Sequence, residues 1–167
     1  MISKSKEKKR IRLMTLIISI AIPLLIGGFI SLLIPNIKSI YGDLVKPIFA
    51  PPPIVFPIVW TILYILMGIA SYKVYVLKYD NIDASSALFV YSIQLLLNFL
   101  WTVIFFGFRL YGLAFLELIL LILFVMLTIK RFYKIAGKKT ASLLLPYLIW
   151  LIYAGVLNFF IWILNEM

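Results

Sequence analysis

LAFLELILLILFVMLTI, residues Leu113–Ile129, decides what kind of protein this is. Apart from Glu117 and Thr128 every side chain in it is apolar, and Lys130-Arg131 closes it. A helix that crosses a bilayer needs about 20 predominantly apolar residues. Working outward, four more stretches have that character: Leu13–Ile34, Ile54–Leu77, Ser86–Phe106 and Ala141–Leu164. The whole chain of 167 residues is 65% hydrophobic and 13% charged, against about 25% charged in soluble domains. Its solvent is therefore lipid. Backbone in lipid must satisfy its own hydrogen bonds, which leaves a helical bundle as the economical solution. The expected fold is an all-α integral membrane protein, a bundle of five transmembrane helices. Residues 1–12 form a basic N-terminal segment, residues 13–165 the five-helix domain, and residues 36–53 an outer lid loop.

The first stretch is longer than the h-region of a signal peptide and lacks a small-residue cleavage site, so it reads as a retained helix. The Lys and Arg residues sort by side. Lys4, Lys6, Lys8, Lys9, Arg10 and Arg12 precede the first span. Lys73 and Lys78 flank the second loop, and Lys130, Arg131, Lys134, Lys138 and Lys139 fill the fourth. Only Lys38, Lys46 and Arg109 fall on the other side. The positive-inside rule then gives an N-in, C-out topology. The net charge of +10 is thus a topology signal, and no nucleic-acid partner is expected.

With neither Cys nor His in the chain, disulfides, thiolate chemistry, imidazole catalysis and histidine metal sites are excluded. No nucleophile has an identifiable base, and no paired carboxylates sit in the spans, so hydrolytic catalysis is not expected. No metal site and no required cofactor are read from the sequence. Glu117 is the one acid well inside a span, a functional candidate by default. An ion pair with Arg109, a protonated hydrogen-bonding role and a transport role all remain open for it.

Three helix faces carry the other candidates. They are Trp60, Tyr64, Gly68 and Ser71 on the second span, Tyr91, Gln94, Asn98, Trp101 and Phe105 on the third, and Tyr147, Trp150, Ala154 and Asn158 on the fifth. Their spacings of three and four place each set on one face. Polar and small residues in membrane helices turn toward other helices, so the three faces are expected to converge. Trp60 lies roughly 9 Å below the outer surface at 1.5 Å per residue. An aromatic-walled cavity with a few amides, suited to a large flat apolar ligand, is expected there. Gln94 and Asn98 serve equally as interhelical hydrogen-bond partners, and Trp162 reads as an interfacial anchor. Above the cavity runs Tyr41-Gly42-Asp43-Leu44-Val45-Lys46-Pro47-Ile48-Phe49-Ala50-Pro51-Pro52-Pro53, followed by Pro57. Its prolines fix φ. They suggest a stiff lid, or in part a start signal for the second span.

These motifs resemble the translocator protein family, TspO/MBR, which includes the peripheral-type benzodiazepine receptor and the bacterial tryptophan-rich sensory proteins. The resemblance rests on Tyr41…Lys46-Pro47-Ile48-Phe49-Ala50-Pro51-Pro52…Trp60…Leu63-Tyr64…Met67-Gly68, on Gln94…Leu97-Asn98…Trp101…Phe105-Phe106, and on Pro146-Tyr147…Trp150…Ala154…Leu157-Asn158. It implies a membrane-bound, commonly homodimeric bundle that binds protoporphyrin IX, haem or related tetrapyrroles, with isoquinoline carboxamides and benzodiazepines as further ligands. Its ligand positions map onto Tyr41, Pro51, Phe56, Trp60, Asn98, Trp101, Trp150, Ala154 and Asn158. Some bacterial members are associated with light-dependent porphyrin degradation, for which Trp60 and Trp150 match the implicated tryptophans. A sensor or stress regulator in the bacterial cytoplasmic membrane is the leading expectation, with a tetrapyrrole transporter and a light-dependent porphyrin-degrading enzyme as alternatives. The sequence departs from the family pattern at Ile40 and Phe49, where Trp is usual, and at Glu117, where Asp is usual. The fifth span also lacks the Tyr-then-basic ending of a cholesterol-recognition pattern, so a sterol partner is not expected.

Overall fold

The computed structural model describes residues 2–167, with side chains from Lys6 onward. Met1 and the side chain of Lys4, both in the basic segment of the sequence reading, lie outside that description. All the regular elements among the described residues are helical: α1 (Ile2–Leu33), α2 (Ile37–Asp43), α3 (Val55–Tyr75), α4 (Ser85–Thr102), α5 (Tyr111–Ala136), α6 (Lys138–Ala141) and α7 (Leu145–Asn165). Five continuous helical stretches are long and apolar enough to cross a membrane. They are Lys6–Leu33, Val55–Asp80, Ser85–Gly107, Tyr111–Ala136 and Lys138–Asn165. The protein is a multi-pass membrane protein.

Several span boundaries differ from the expected ones, three of them for a clear local reason. α1 begins at Ile2 rather than near residue 13, because the basic residues before the apolar run are good helix formers. α5 continues past Ile129 to Ala136, carrying Lys130, Arg131 and Lys134 on its last turns. It stops at Gly137, whose φ of 78° no β-carbon-bearing residue adopts easily. The fifth span starts at Lys138, and its path tightens into a 3-10 turn at Ser142–Leu144 just before Pro146 enters the first turn of α7. Pro23 interrupts nothing, since α1 runs through it. The third span closes in a π turn at Val103–Gly107.

The span that contains α4 is the most buried of the five. The buried α4 residues Ala87, Val90, Tyr91, Gln94, Leu95, Asn98 and Phe99 follow a helical period. α5 packs on α4 and α7, whereas α1 leans on α3 and leaves much of its surface to lipid, with Leu25 70% and Leu32 83% exposed. The α1–α3 contact depends on Gly68, whose absent side chain lets the two backbones touch. A β-carbon there would lie 2.5 Å from the Ile20 Cα and 2.8 Å from the Ser19 carbonyl oxygen. Gly68 thus faces α1. At the end opposite the lid, Arg131 of α5 donates to the Ser86 carbonyl at 2.9 Å and also bonds the Ser86 hydroxyl. Asp83 accepts the Ser85 N–H at 2.9 Å at the start of α4, and the Ser85 side chain, followed by this backbone bond, holds its carboxyl below the usual range.

Candidate functional site

Residues 36–53 form an ordered lid. Asn36, with φ 69°, turns the chain out of α1 and into α2, a conformation that asparagine tolerates better than most. Tyr41 is buried on α2 and donates its hydroxyl to the Pro51 carbonyl at 2.9 Å. Its ring meets Phe56 edge-on at 5.0 Å. Burial pushes the Tyr41 hydroxyl up to about 12, with Tyr153 adding to the effect. Lys46 folds back and donates to the carbonyls of Tyr41, Gly42 and Leu44 at 2.7, 2.8 and 2.8 Å. The lid is therefore tied by its own side chains as well as stiffened by proline.

It is also tied to α7. Tyr153 donates to the Phe49 carbonyl at 3.0 Å. The Asn165 amide pairs with both backbone groups of Val45, accepting its N–H at 3.0 Å and donating to its carbonyl at 2.9 Å. The neighbouring Glu166 caps α5 by accepting the Tyr111 and Gly112 N–H groups, each at 2.8 Å. An anionic side chain is well placed at a helix N-terminus. The lid, the end of α7 and the start of α5 meet in one junction. Asn165→Ala removes two bonds to the lid, of about 1 kcal/mol each, beside one within its own helix. Hydrogen exchange at residues 44–50 is expected to rise about tenfold in that variant, with α5 unchanged. Unchanged lid exchange would show that the proline and Lys46 contacts hold the lid alone.

Beneath the lid lies a cavity of about 660 Å³. Its walls come from α1 (Leu24, Gly27, Gly28, Ile30, Ser31), from the lid (Ile37, Lys38, Tyr41), from the start of α3 (Phe56, Trp60, Tyr64) and from the third span (Phe99, Trp101, Phe106). Of the nine residues read as ligand-contacting, Tyr41, Phe56, Trp60 and Trp101 line it. Trp60 stacks on Tyr64, with centroids 5.3 Å apart and planes at 29°. Trp101 stacks on Phe105 at 4.9 Å.

The others stand behind this wall. Trp150 meets the cavity-lining Phe56 edge-on at 6.0 Å and lies 5.3 Å from Tyr153. Ala154, one turn on, packs with the central core cluster, and Pro51 is the lid carbonyl that Tyr41 grips. Asn98 accepts the Tyr64 hydroxyl at 3.0 Å and donates to the Tyr147 hydroxyl at 2.9 Å. Asn158 accepts the Trp101 indole N–H at 3.0 Å and donates to the Tyr111 carbonyl at 2.9 Å. Together the two amides join α3, α4, α5 and α7, the interhelical use that the sequence left open for Asn98. The three faces do converge, but through protein–protein bonds.

Gln94 and Glu117 are buried with no hydrogen-bond partner among the described residues. The Glu117–Arg109 ion pair therefore does not form. Trp162 is more than an anchor at the membrane surface: it lies across Gly112, where a β-carbon would come within 2.5 Å of its indole nitrogen. The sequence reading missed the whole α1 wall. A helix that is apolar all round shows no preferred face, and only Gly27, Gly28 and Ser31 hinted at one. It also missed Lys38 and the Asn165–Glu166 junction.

Fold and site together define a class: a five-span helical membrane protein with an aromatic, lid-covered cavity near one end. The TspO/MBR family model matches residues 19–163. A tryptophan-rich protein TspO of Chlorobaculum tepidum is 37% identical over 155 residues, covering 92% of this chain and 98% of the relative. Protein CrtK of Rhodobacter capsulatus is 39% identical over 125 residues, covering 75% and 78%. The translocator protein of Homo sapiens is 38% identical over 123 residues, covering 73% and 72%. The chain belongs to the TspO/MBR family.

Proposed function

We propose that this protein binds protoporphyrin IX and related tetrapyrroles, haem included, as a membrane sensor with a role in stress or tetrapyrrole homeostasis. The observation that carries this reading is the 660 Å³ cavity walled by Trp60, Tyr64, Phe56, Phe99, Trp101 and Phe106. Its volume falls within the roughly 300–1,000 Å³ of ligand pockets, and its few polar groups suit a flat, largely apolar molecule. Exposed wall residues such as Ser31 and Thr61 leave it reachable from the side. An apolar ligand can therefore enter from the bilayer. Isoquinoline- and benzodiazepine-type compounds suit the same walls.

A binder is favoured over a transporter by the helices themselves. Transporter sites are commonly built on helices broken near the midplane. Here α1, α3 and α5 run unbroken, and the π and 3-10 turns lie at the ends of their spans. The relatives' names, sensory protein and translocator protein, accommodate either role. The reading further places the protein in the cytoplasmic membrane as a homodimer, N-terminus inside. Reporter fusions at both termini test the topology, and crosslinking in membranes tests the dimer.

The binding experiment is a fluorescence titration of purified protein with protoporphyrin IX. Saturable quenching of tryptophan emission at one site per chain is expected. Quenching that grows linearly and matches empty nanodiscs would sink the reading.

A further inference from the structure

We propose that Lys38 selects among ligands of this cavity by pairing with a carboxylate at the ligand's edge, so that acidic ligands bind in preference to their neutral counterparts. The inference rests on the tetrapyrrole-class reading of the cavity and adds its polarity.

The lid contains two lysines with different fates. Lys46 is consumed by the three carbonyls of Tyr41, Gly42 and Leu44. Lys38 makes no hydrogen bond or ion pair among the described residues, is exposed, and lines the cavity. It is the one charged residue among the cavity walls; the rest are apolar, aromatic, hydroxyl or amide side chains. Lys38 sits on α2, one residue into the helix that roofs the cavity, beside Asn36 and Ile37, which also line it. A lysine has a long apolar stem and a hydrated head. Here the stem joins an apolar wall and the ammonium stays near water at the lid.

A flat apolar ligand with carboxylates along one edge fits that gradient. Its ring system lies against Trp60 and Trp101, and its acidic edge points to the lid. The reverse orientation would bury unpaired carboxylates among aromatic rings, which is costly. The charge thus selects orientation as well as ligand class. A neutral ligand of the same shape keeps the aromatic contacts and loses only the Lys38 pairing.

Two probes separate these contributions: protoporphyrin IX, which is a dicarboxylic acid, and its dimethyl ester, which has the same ring without the charge. Both are titrated into the full chain in nanodiscs of zwitterionic lipid, so that anionic headgroups do not compete. Lys38→Ala is expected to weaken the acid about fivefold and to leave the ester within about twofold. Lys38→Arg keeps the charge and restores acid binding. Added salt weakens the acid in the unaltered protein but not in Lys38→Ala, because an exposed pair is screened. If Lys38→Ala weakens acid and ester alike, or weakens neither, the selectivity proposal is overturned while the cavity reading stands. Failure of both probes to bind the unaltered protein overturns the cavity reading and this proposal with it.

Discussion

Replacement of Gly68 by leucine is expected to lower the stability of the protein by about 2 kcal/mol or more. The reason is geometric. Overpacking a close contact typically costs about 1–3 kcal/mol when side chains can yield. At Gly68 the obstacles are the Ile20 Cα and the Ser19 carbonyl oxygen, 2.5 and 2.8 Å from where a β-carbon would stand. Backbone of a neighbouring helix yields only if the helix moves. Small residues at membrane helix contacts serve this close approach, since lipid offers no hydrophobic drive to hold helices together.

Displacing α1 has a second consequence. Leu24, Gly27, Gly28, Ile30 and Ser31 are one wall of the cavity. Gly68→Leu is thus expected to lose ligand binding together with stability. Gly28→Ala is the control, because a β-carbon there meets nothing within 4 Å. Thermal unfolding in detergent, read by loss of helical signal, should place Gly68→Leu well below the unaltered protein. Gly28→Ala should match it or exceed it slightly, alanine being the better helix former. Equal midpoints for all three would mean that α1 does not pack on α3 at Gly68.

The contrast between Gly68 and Lys38 shows what was legible in the sequence. Five spans were readable because hydropathy and length are local properties, and lipid enforces helix wherever they occur. Trp60 and Trp101 stood out by periodicity, and Tyr41 and Phe56 through the family resemblance; all four line one cavity. What a face turns toward is not a local property. Gly68 shares a period with Trp60 and Tyr64, and that period meets α1 at more than one level: Gly68 touches its backbone at Ile20, and the Tyr64 ring lies against Gly27. Asn98, for which the sequence left both a ligand and an interhelical role open, and Asn158 bond tyrosine and tryptophan donors and acceptors on neighbouring helices, contacts that span distance in the sequence. In the otherwise apolar pattern of α1 only Gly27, Gly28 and Ser31 mark its cavity wall. Asn165 and Glu166 lie more than a hundred residues from Val45 and more than fifty from Tyr111, so their bonds depend on how the helix ends meet.

The cavity also separates two tryptophans that the sequence paired. Trp60 lines the space and stacks on Tyr64. Trp150 reaches it only through Phe56, edge-on at 6.0 Å. With protoporphyrin IX as ligand, Trp60→Phe is therefore expected to weaken binding about fivefold to tenfold. An indole presents a larger π surface than phenyl, and an aromatic contact is worth about 1 kcal/mol beyond the area it buries. Trp150→Phe is expected to change affinity by no more than about twofold, since its effect passes through the packing of Phe56. The same ordering applies to chemistry. If light degrades the bound porphyrin, the indole in contact with the macrocycle is the better electron donor, and phenylalanine is a poor one. Product formation should then disappear in Trp60→Phe and persist in Trp150→Phe. Both variants keep an aromatic ring, so helical content serves as the check on folding. Tryptophan quenching reports binding, and product absorbance, compared with bleaching of free porphyrin, reports chemistry. Equal losses in the two variants would mean that the ligand sits between Trp60 and Trp150, displacing Phe56. Unchanged binding in both would remove the tryptophans from the site and leave Tyr41, Phe56 and Trp101 as its aromatic walls.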